Sequence, residues 1–332
     1  MRMLSFYSGL CISLFMSQAA VSQTVEWSVG ADAALAAALA PSSFLIAPAA
    51  YATPEESFLS SAVRRIETSS IENYSAATFF NQSGDVWLDL SGVMAGLIYN
   101  ELTAEGAGHK QFHFEDEGWF GKDTYSLGMD KLGHAYASYL YAEYFNQRIS
   151  HSGSNAEGAG ITSGLLAFGV QAVVEVTDGF SSVYGFSKND LIANGVGASL
   201  SMLRSTVPGF AEKIDFRMEY DPWVNGVSTF SPYNDYSNQK YLLALKLSGF
   251  EQFEDSPLRF VELHAGYFAR GFGAKGEPAI AELRREPYVA IGMNLAELFN
   301  VAPVRNTLPA QVARRAFEYI QVPGTYVATV NK

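Results

Sequence analysis

The sequence predicts an α+β chain, mainly helical, with a compact apolar helix bundle followed by a small antiparallel sheet of about three strands and a C-terminal helix. Two observations carry that reading. Up to about residue 207 the apolar residues come in long runs, at or near helical spacing and broken by small residues. After Pro208 the runs shorten, alternate and gain aromatic and β-branched residues, with turn-forming and charged residues between them. The 332 residues suffice for one large domain or two ordinary ones, at roughly 150 residues each. They divide into a leader region 1–52, a helical region 53–215 and a strand-rich segment 216–332 packed on the helical part.

The first element is "MRMLSFYSGLCISLFMSQAAVSQ", where one basic residue precedes an apolar run and small residues, the layout of an export signal. Cleavage is expected either near Ser22 or after the later Ala50–Ala52 pattern, and we prefer the later cut. Either removes Cys11, the one cysteine, so the mature chain has no disulfide even in an oxidising compartment. Residues 55–71 read as a peripheral helix. "GDVWLDLSGVMAGLIYNEL" (84–102) is apolar almost all round and reads as a buried or membrane-contacting helix. A Gly-rich, acidic and aromatic loop leads to the helix that opens at "GMDKLGH" (128–134); its part 111–125 is either a partner-binding rim or a solvated loop. The apolar run of 158–174 is about 25 Å long as a helix, short of the roughly 30 Å hydrocarbon core, so it reads as a core helix or a shallow membrane-embedded one. "GFSKNDLIANGVGASLSMLRSTVPGF" is a helix whose Ala193, Gly195, Gly197, Ala198 and Ser199 allow close helix packing. Strands are expected within 240–250, 258–273 and 286–299, too few to close a membrane barrel, and a last helix over "LPAQVARRAFEYIQVP".

Composition narrows the partners. The chain is 48% hydrophobic and only 17% charged, which makes contact with a membrane or another cell-envelope component the expectation. A formal net charge of −12 with no basic cluster excludes nucleic acid.

The candidate site residues are polar groups on otherwise apolar helices. Asp130 and His134 are four apart and share a helix face, so the carboxylate can hold one imidazole nitrogen and leave the other free. Asp130 also suits a helix start, and Lys131 reads as solvated. Glu175 and Asp178 are three apart at a helix end, where two ionised carboxylates repel and one must rise in pKa, take a cation or stay in water. Ser187 fits a capping pattern with Asp190, and Asp190 and Asn194 again share a face. Together these residues predict one polar pocket between helices. His134, Asp130, Glu175 and Asp190 are the catalytic candidates, and Lys131, Asp178, Asn194 and Ser187 belong to the surrounding network. The donor set His134, Glu175, Asp178 and Asp190 suits a divalent cation such as Mg²⁺, Mn²⁺ or Zn²⁺. It works equally without metal, with His134 as general base beside a carboxylic acid of raised pKa. Common hydrolase and nucleotide-binding motifs are absent from the chain.

The ordered strings "GMDKLGH", "EVTDGFSSVYGFSKNDLIANGVGASL", "YNDYSNQKYLLALKLS" and "HAGYFARGFG" resemble the YfiM-like family of predicted periplasmic lipoproteins, a domain of unknown function, from about Val86 to about Leu298. The first two strings also look like the VanZ-like family of small membrane proteins, in which an Asp-Lys-x-x-His helix (here Asp130, Lys131, His134) is followed by an acid (Glu175) and an Asp-x-x-x-Asn helix (Asp190, Asn194). That second likeness is partial, because those proteins lack the strand-rich tail. The resemblances imply an exported protein, periplasmic or associated with the outer membrane, with a membrane-proximal polar site; neither implies a settled reaction. Cys11, preceded by "SGL", is a poor acylation site and departs from the lipoprotein pattern. The leading expectation is a hydrolase or transferase acting on a lipid or cell-wall substrate. The rival is a non-enzymatic envelope scaffold whose polar residues form a network fixing helix register.

Overall fold

The computed structural model describes residues 73–103, 110–152, 156–223, 232, 235–273, 275, 278–301 and 303–329. The export leader and the helix expected over 55–71 lie outside the described residues. Among those described are seven α-helices and a six-stranded sheet, an α+β fold with more strands than the sequence predicts.

Helix α1 (Ala76–Asp85) is capped by Ser75, whose hydroxyl accepts from the Thr78 amide. Helix α2 (Trp87–Thr103) is peripheral: it buries Val93, while Trp87, Leu88 and Ile98 face outward. It is tied down by Asp89, which accepts from Tyr144 and Arg148. Helices α3 (Met129–Ser150), α4 (Ala159–Asp178) and α5 (Lys188–Thr206) form the helical layer. Glycines in the left-handed conformation, Gly128 (φ 90°) and Gly158 (φ 77°), start α3 and α4. The small-residue face of α5 does what its composition predicts: a Cβ on Gly197 would lie 1.8 Å from the Ala135 carbonyl oxygen, so α3 and α5 touch at backbone distance. By length and composition α4 could cross a membrane, yet more than half of its apolar stretch is buried within the protein.

Strands β1 (Ile214–Tyr220), β2 (Gln239–Lys246), β3 (Val261–Arg270) and β4 (Arg284–Met293) form an antiparallel meander. The three expected strands are β2, β3 and β4. Two short segments complete the sheet: β5 (Ile320–Gln321), parallel to β1 at one edge, and β6 (Tyr326–Ala328), antiparallel to β4 at the other. That order forces curvature. Five inter-strand gaps in a flat sheet span about 24 Å, whereas the chain from Gln321 to Tyr326 reaches at most about 18 Å. The sheet must therefore curl until its edges approach, and Lys240 on β2 donates to the Tyr326 hydroxyl on β6 at 2.9 Å across the inside.

After a single turn, α6 (Leu295–Leu298), the chain enters helix α7 (Leu308–Tyr319), which has Pro309 in its first turn as expected. One hydrophobic core joins the two layers, with Met129, Tyr136 and Tyr139 of α3 against Phe216, Tyr241 and Tyr319. A second lies among α2, α3 and α4, around Val93, Phe145 and Leu166.

Candidate functional site

The loop 110–128 builds one wall of the site. It runs beside the α4–α5 connection, where the His113 amide donates to the Gly179 carbonyl, the Glu115 amide to the Phe186 carbonyl, and the Phe186 amide to the His113 carbonyl. Phe112, Phe114, Phe180 and Phe186 pack together over that seam. This delivers Glu117 to the first turns of α3 and α5, where Asp130 and Asp190 already sit at the positive ends of the helix dipoles.

Lys131 is at the centre, and it is buried rather than solvated. Its ammonium lies 2.7 Å from a carboxylate oxygen of each of Glu117, Asp130 and Asp190. Burial alone would push its pKa down, but the three facing carboxylates more than offset that and hold it above the ordinary lysine value. Lys275, from the β3–β4 connection, adds a second cation on Glu117 and lies 3.2 Å from Glu115. Burial pushes Glu117 up, yet the hydrogen bond from Asp190 and the two lysines hold it well below the usual carboxylate range. Asp190 carries the opposite burden. Burial, the neighbouring charge of Asp130 and the hydrogen bond with Glu117 push it up to about 7, against the pull of His134 and Lys131.

One turn along α3, His134 Nε2 stands 3.7 Å from Asp130 and 3.8 Å from Asp190, and its Nδ1 has no hydrogen-bond partner. Burial opposes its protonation, but Asp130, Asp190 and Glu175 outweigh that and raise its pKa above the usual histidine value. The His134 side chain as a whole keeps 17% exposure, while its Nδ1 is buried. Glu175 on α4 accepts from the Ser187 amide through Oε1, leaves Oε2 unpartnered and is raised in pKa, chiefly by burial. Asn194 accepts from Gln171 at 3.3 Å and leaves its Nδ2 unpartnered. Ser187 caps α5 as its pattern implies, accepting from the Asp190 amide.

The polar residues therefore follow four-residue steps on three touching helices: Asp130, His134 and Ser138 on α3, Gln171 and Glu175 on α4, Asp190 and Asn194 on α5. Asp178 lies half-buried at the end of α4. Asp130, His134 and Asp190 each offer one donor atom within 4.8 Å of the others, and Glu175 and Asp178 are outside that set. Three donors of this kind suit a divalent cation with open positions. The Lys131 ammonium already lies against both carboxylates of that set, so a cation entering there would meet a charge of its own sign.

Sequence reasoning missed Glu117, Lys275 and Gln171. Gln171 was legible, being four residues before Glu175 on the same face. The other two stand on loops whose placement depends on the fold. Tyr236, from the strand half, covers the site where α3 carries Gly133; a Cβ there would lie 2.7 Å from the tyrosine ring.

Fold and site together define an α+β protein with a buried acid, lysine and histidine cluster between three helices. Residues 116–206 match the family model described as "Predicted periplasmic lipoprotein (DUF2279)". The matched segment runs from the loop bearing Glu117 to the end of α5, so it holds the whole helical part of the cluster, and its description agrees with the exported, periplasmic or envelope location that the sequence predicts. No curated protein and no solved structure matches the chain.

Proposed function

We propose that the seam is an acid/base site acting on an ester of an envelope lipid or cell-wall component, by hydrolysis or transfer. The observation that carries this reading is that, among the buried polar atoms without a hydrogen-bond partner, four stand on the facing helices of this one seam: His134 Nδ1, Glu175 Oε2, Asn194 Nδ2 and Ser138 Oγ. Each costs about 1–3 kcal/mol to bury unpaired, and here they stand beside titratable groups on three touching helices. Here the cohesive part is complete, with three carboxylates on Lys131, while the adjoining part offers unfilled donors and acceptors.

In this reading His134, held near Asp130, takes the proton of an attacking water or hydroxyl. Asp190, with a carboxyl pushed up to about 7, returns a proton to the leaving oxygen. Lys131 keeps the two acids in place and its three contacts leave it no part in substrate binding. Glu175 and Asn194 bind polar groups of the substrate.

The test compares the wild-type protein with His134→Ala and Glu175→Gln, each incubated with envelope lipid extract and with cell-wall fragments, and followed by mass spectrometry. A product formed by the wild type and reduced at least a hundredfold in His134→Ala is expected. Equal product profiles in all three samples would sink the reading, and the scaffold role would then stand on Lys131 and its acids.

A further inference from the structure

Away from Phe216 and Tyr241, which pack the outer face onto α3, the curled sheet is inverted in polarity. Its inner face carries Asp215, Arg217, Lys240, Lys246, Glu262 and His264, all buried. They are joined by contacts of 2.7 Å from Arg217 to both Asp215 and Glu262, from Lys246 to Asp215 and from His264 to Glu262. The outer face carries Leu243, Leu263, Val289, Ile291, Met293 and Val327, all exposed, with Val327 at 81% and Ile291 at 62%. The register makes this one surface: Leu263, Ile291 and Val327 lie side by side in one row across β3, β4 and β6, and Leu243 and Val289 belong to the next row. Strands with charges inside and apolar groups outside are the pattern of a sheet whose surroundings are less polar than its interior.

We propose that this outer face rests on an envelope lipid leaflet, seated shallowly with its strands along the membrane plane. The band runs about 14 Å from Val289 to Met293 and about 14 Å across from β2 to β6, too short to span a hydrocarbon core of roughly 30 Å. Charged groups fence both ends. Arg284 and Arg285 are exposed at one, and Glu251, Glu254 and Asp255 on the β2–β3 connection at the other, so neither end enters hydrocarbon and both remain at headgroup level. The exposed apolar area is on the order of 500 Å², at the upper end for a monomer. A second copy is the poorer occupant. Two convex faces touch over less than the roughly 800 Å² per partner that a stable pair needs, and the β5–β6 closure leaves little edge for strand addition. Lipid tails conform to a convex surface. This contact is separate from the acid/base seam and stands or falls without it.

The experiment is flotation of the purified protein with vesicles of phosphatidylethanolamine and phosphatidylglycerol (3:1), beside the double variant Ile291→Glu/Val327→Glu. The wild type is expected to float, and the double variant to lose at least tenfold in vesicle partitioning with an unchanged melting temperature. A nitroxide placed by Val327→Cys, with Cys11→Ser if that residue is retained, is expected to become accessible to oxygen and shielded from a water-soluble nickel reagent when vesicles are added; one at Glu251→Cys is not. This second measurement decides the matter if the double variant folds poorly. Equal flotation of wild type and double variant, failure of the wild type to float, or a Val327 label left in water overturns the proposal. So does a wild-type dimer in solution that the double variant abolishes, which would assign the face to a second copy.

Discussion

Replacing Asp190 by Asn tests the electrostatics of the site most directly, because Asn has nearly the shape of the protonated acid and cannot ionise. In the folded protein the Asp190 carboxyl is pushed up to about 7 from 3.8, first by burial and then by Asp130 and the Glu117 hydrogen bond. A raised acid binds its proton more tightly folded than unfolded, so the wild type loses stability as pH rises from about 4 to 7, and the loss is complete above that. With those two values the penalty is on the order of 2 kcal/mol at pH 5 and about 4 kcal/mol at pH 8.5. Asp190→Asn escapes it, so its stability relative to wild type should improve by about 2–3 kcal/mol between pH 5 and pH 8.5. Differencing the two pH values cancels the fixed cost of the substitution. His134 adds in the same direction. Its raised pKa stabilises the wild type below the unfolded value and that stability is lost as pH rises, so a variant lacking one of its carboxylates forfeits stability only on the acid side. Urea unfolding at both pH values, with unchanged dependence on denaturant, measures the effect. A relative stability flat to within about 0.5 kcal/mol, or moving the other way, would refute the assignment of the proton to Asp190.

Other perturbations probe neighbouring parts. Lys131→Met leaves Glu117, Asp130 and Asp190 facing one another and should cost about 3–5 kcal/mol at neutral pH, shrinking as the medium is acidified; a melting curve series in pH reads this. Gly197→Ala sets a methyl against the Ala135 carbonyl and should destabilise by about 3 kcal/mol or more, measured by chemical denaturation; a loss under 1 kcal/mol would contradict the close contact of α3 and α5. Ser187→Ala removes the cap of α5 and should cost about 1 kcal/mol by the same assay. The His134 imidazole should titrate above the ordinary histidine value by NMR and fall in Asp130→Asn; a value below 6.5 in the wild type would show that burial outweighs the acids.

The helical half was legible because its cues are local. The four-residue steps Asp130/His134 and Asp190/Asn194 are a property of helix geometry, and the small residues of α5 announce a close neighbour wherever that neighbour lies. Lys131 was misjudged for a physical reason. A lysine beside an aspartate at a helix start is solvated unless other acids come to it, and here one of them, Glu117, arrives from a loop fixed only by its pairing with the α4–α5 connection. β1 escaped notice because "IDFRMEY" alternates as a strand but places its charges inward, against the usual rule that charged residues face water. The two-residue β5 and three-residue β6 have no signal of their own and exist because the turn between them closes the curl.

Polarity links these two kinds of misreading. Both the helical seam and the sheet interior hide charge, and each does so by pairing nearly every cation with at least one carboxylate: Lys131 with three acids, Arg217 with two, Lys246 and Lys240 with one each. Such pairs contribute little net stability compared with apolar packing of the same volume, because desolvation consumes most of the attraction. A chain that buries charge in its sheet while leaving Ile291 and Val327 outside therefore forgoes stabilisation available in water. That arrangement makes physical sense if the outer face has a nonaqueous neighbour. In the sheet Arg217, Lys240 and Lys246 each have a carboxylate partner, although Arg217 Nε and His264 Nδ1 make no hydrogen bond, and beside Lys131 the His134 Nδ1, Glu175 Oε2 and Asn194 Nδ2 atoms are likewise unpartnered. The proposed lipid contact on the outside of the sheet and the proposed acid/base site in the helical seam are therefore separable in space, and each is tested by variants that leave the other untouched.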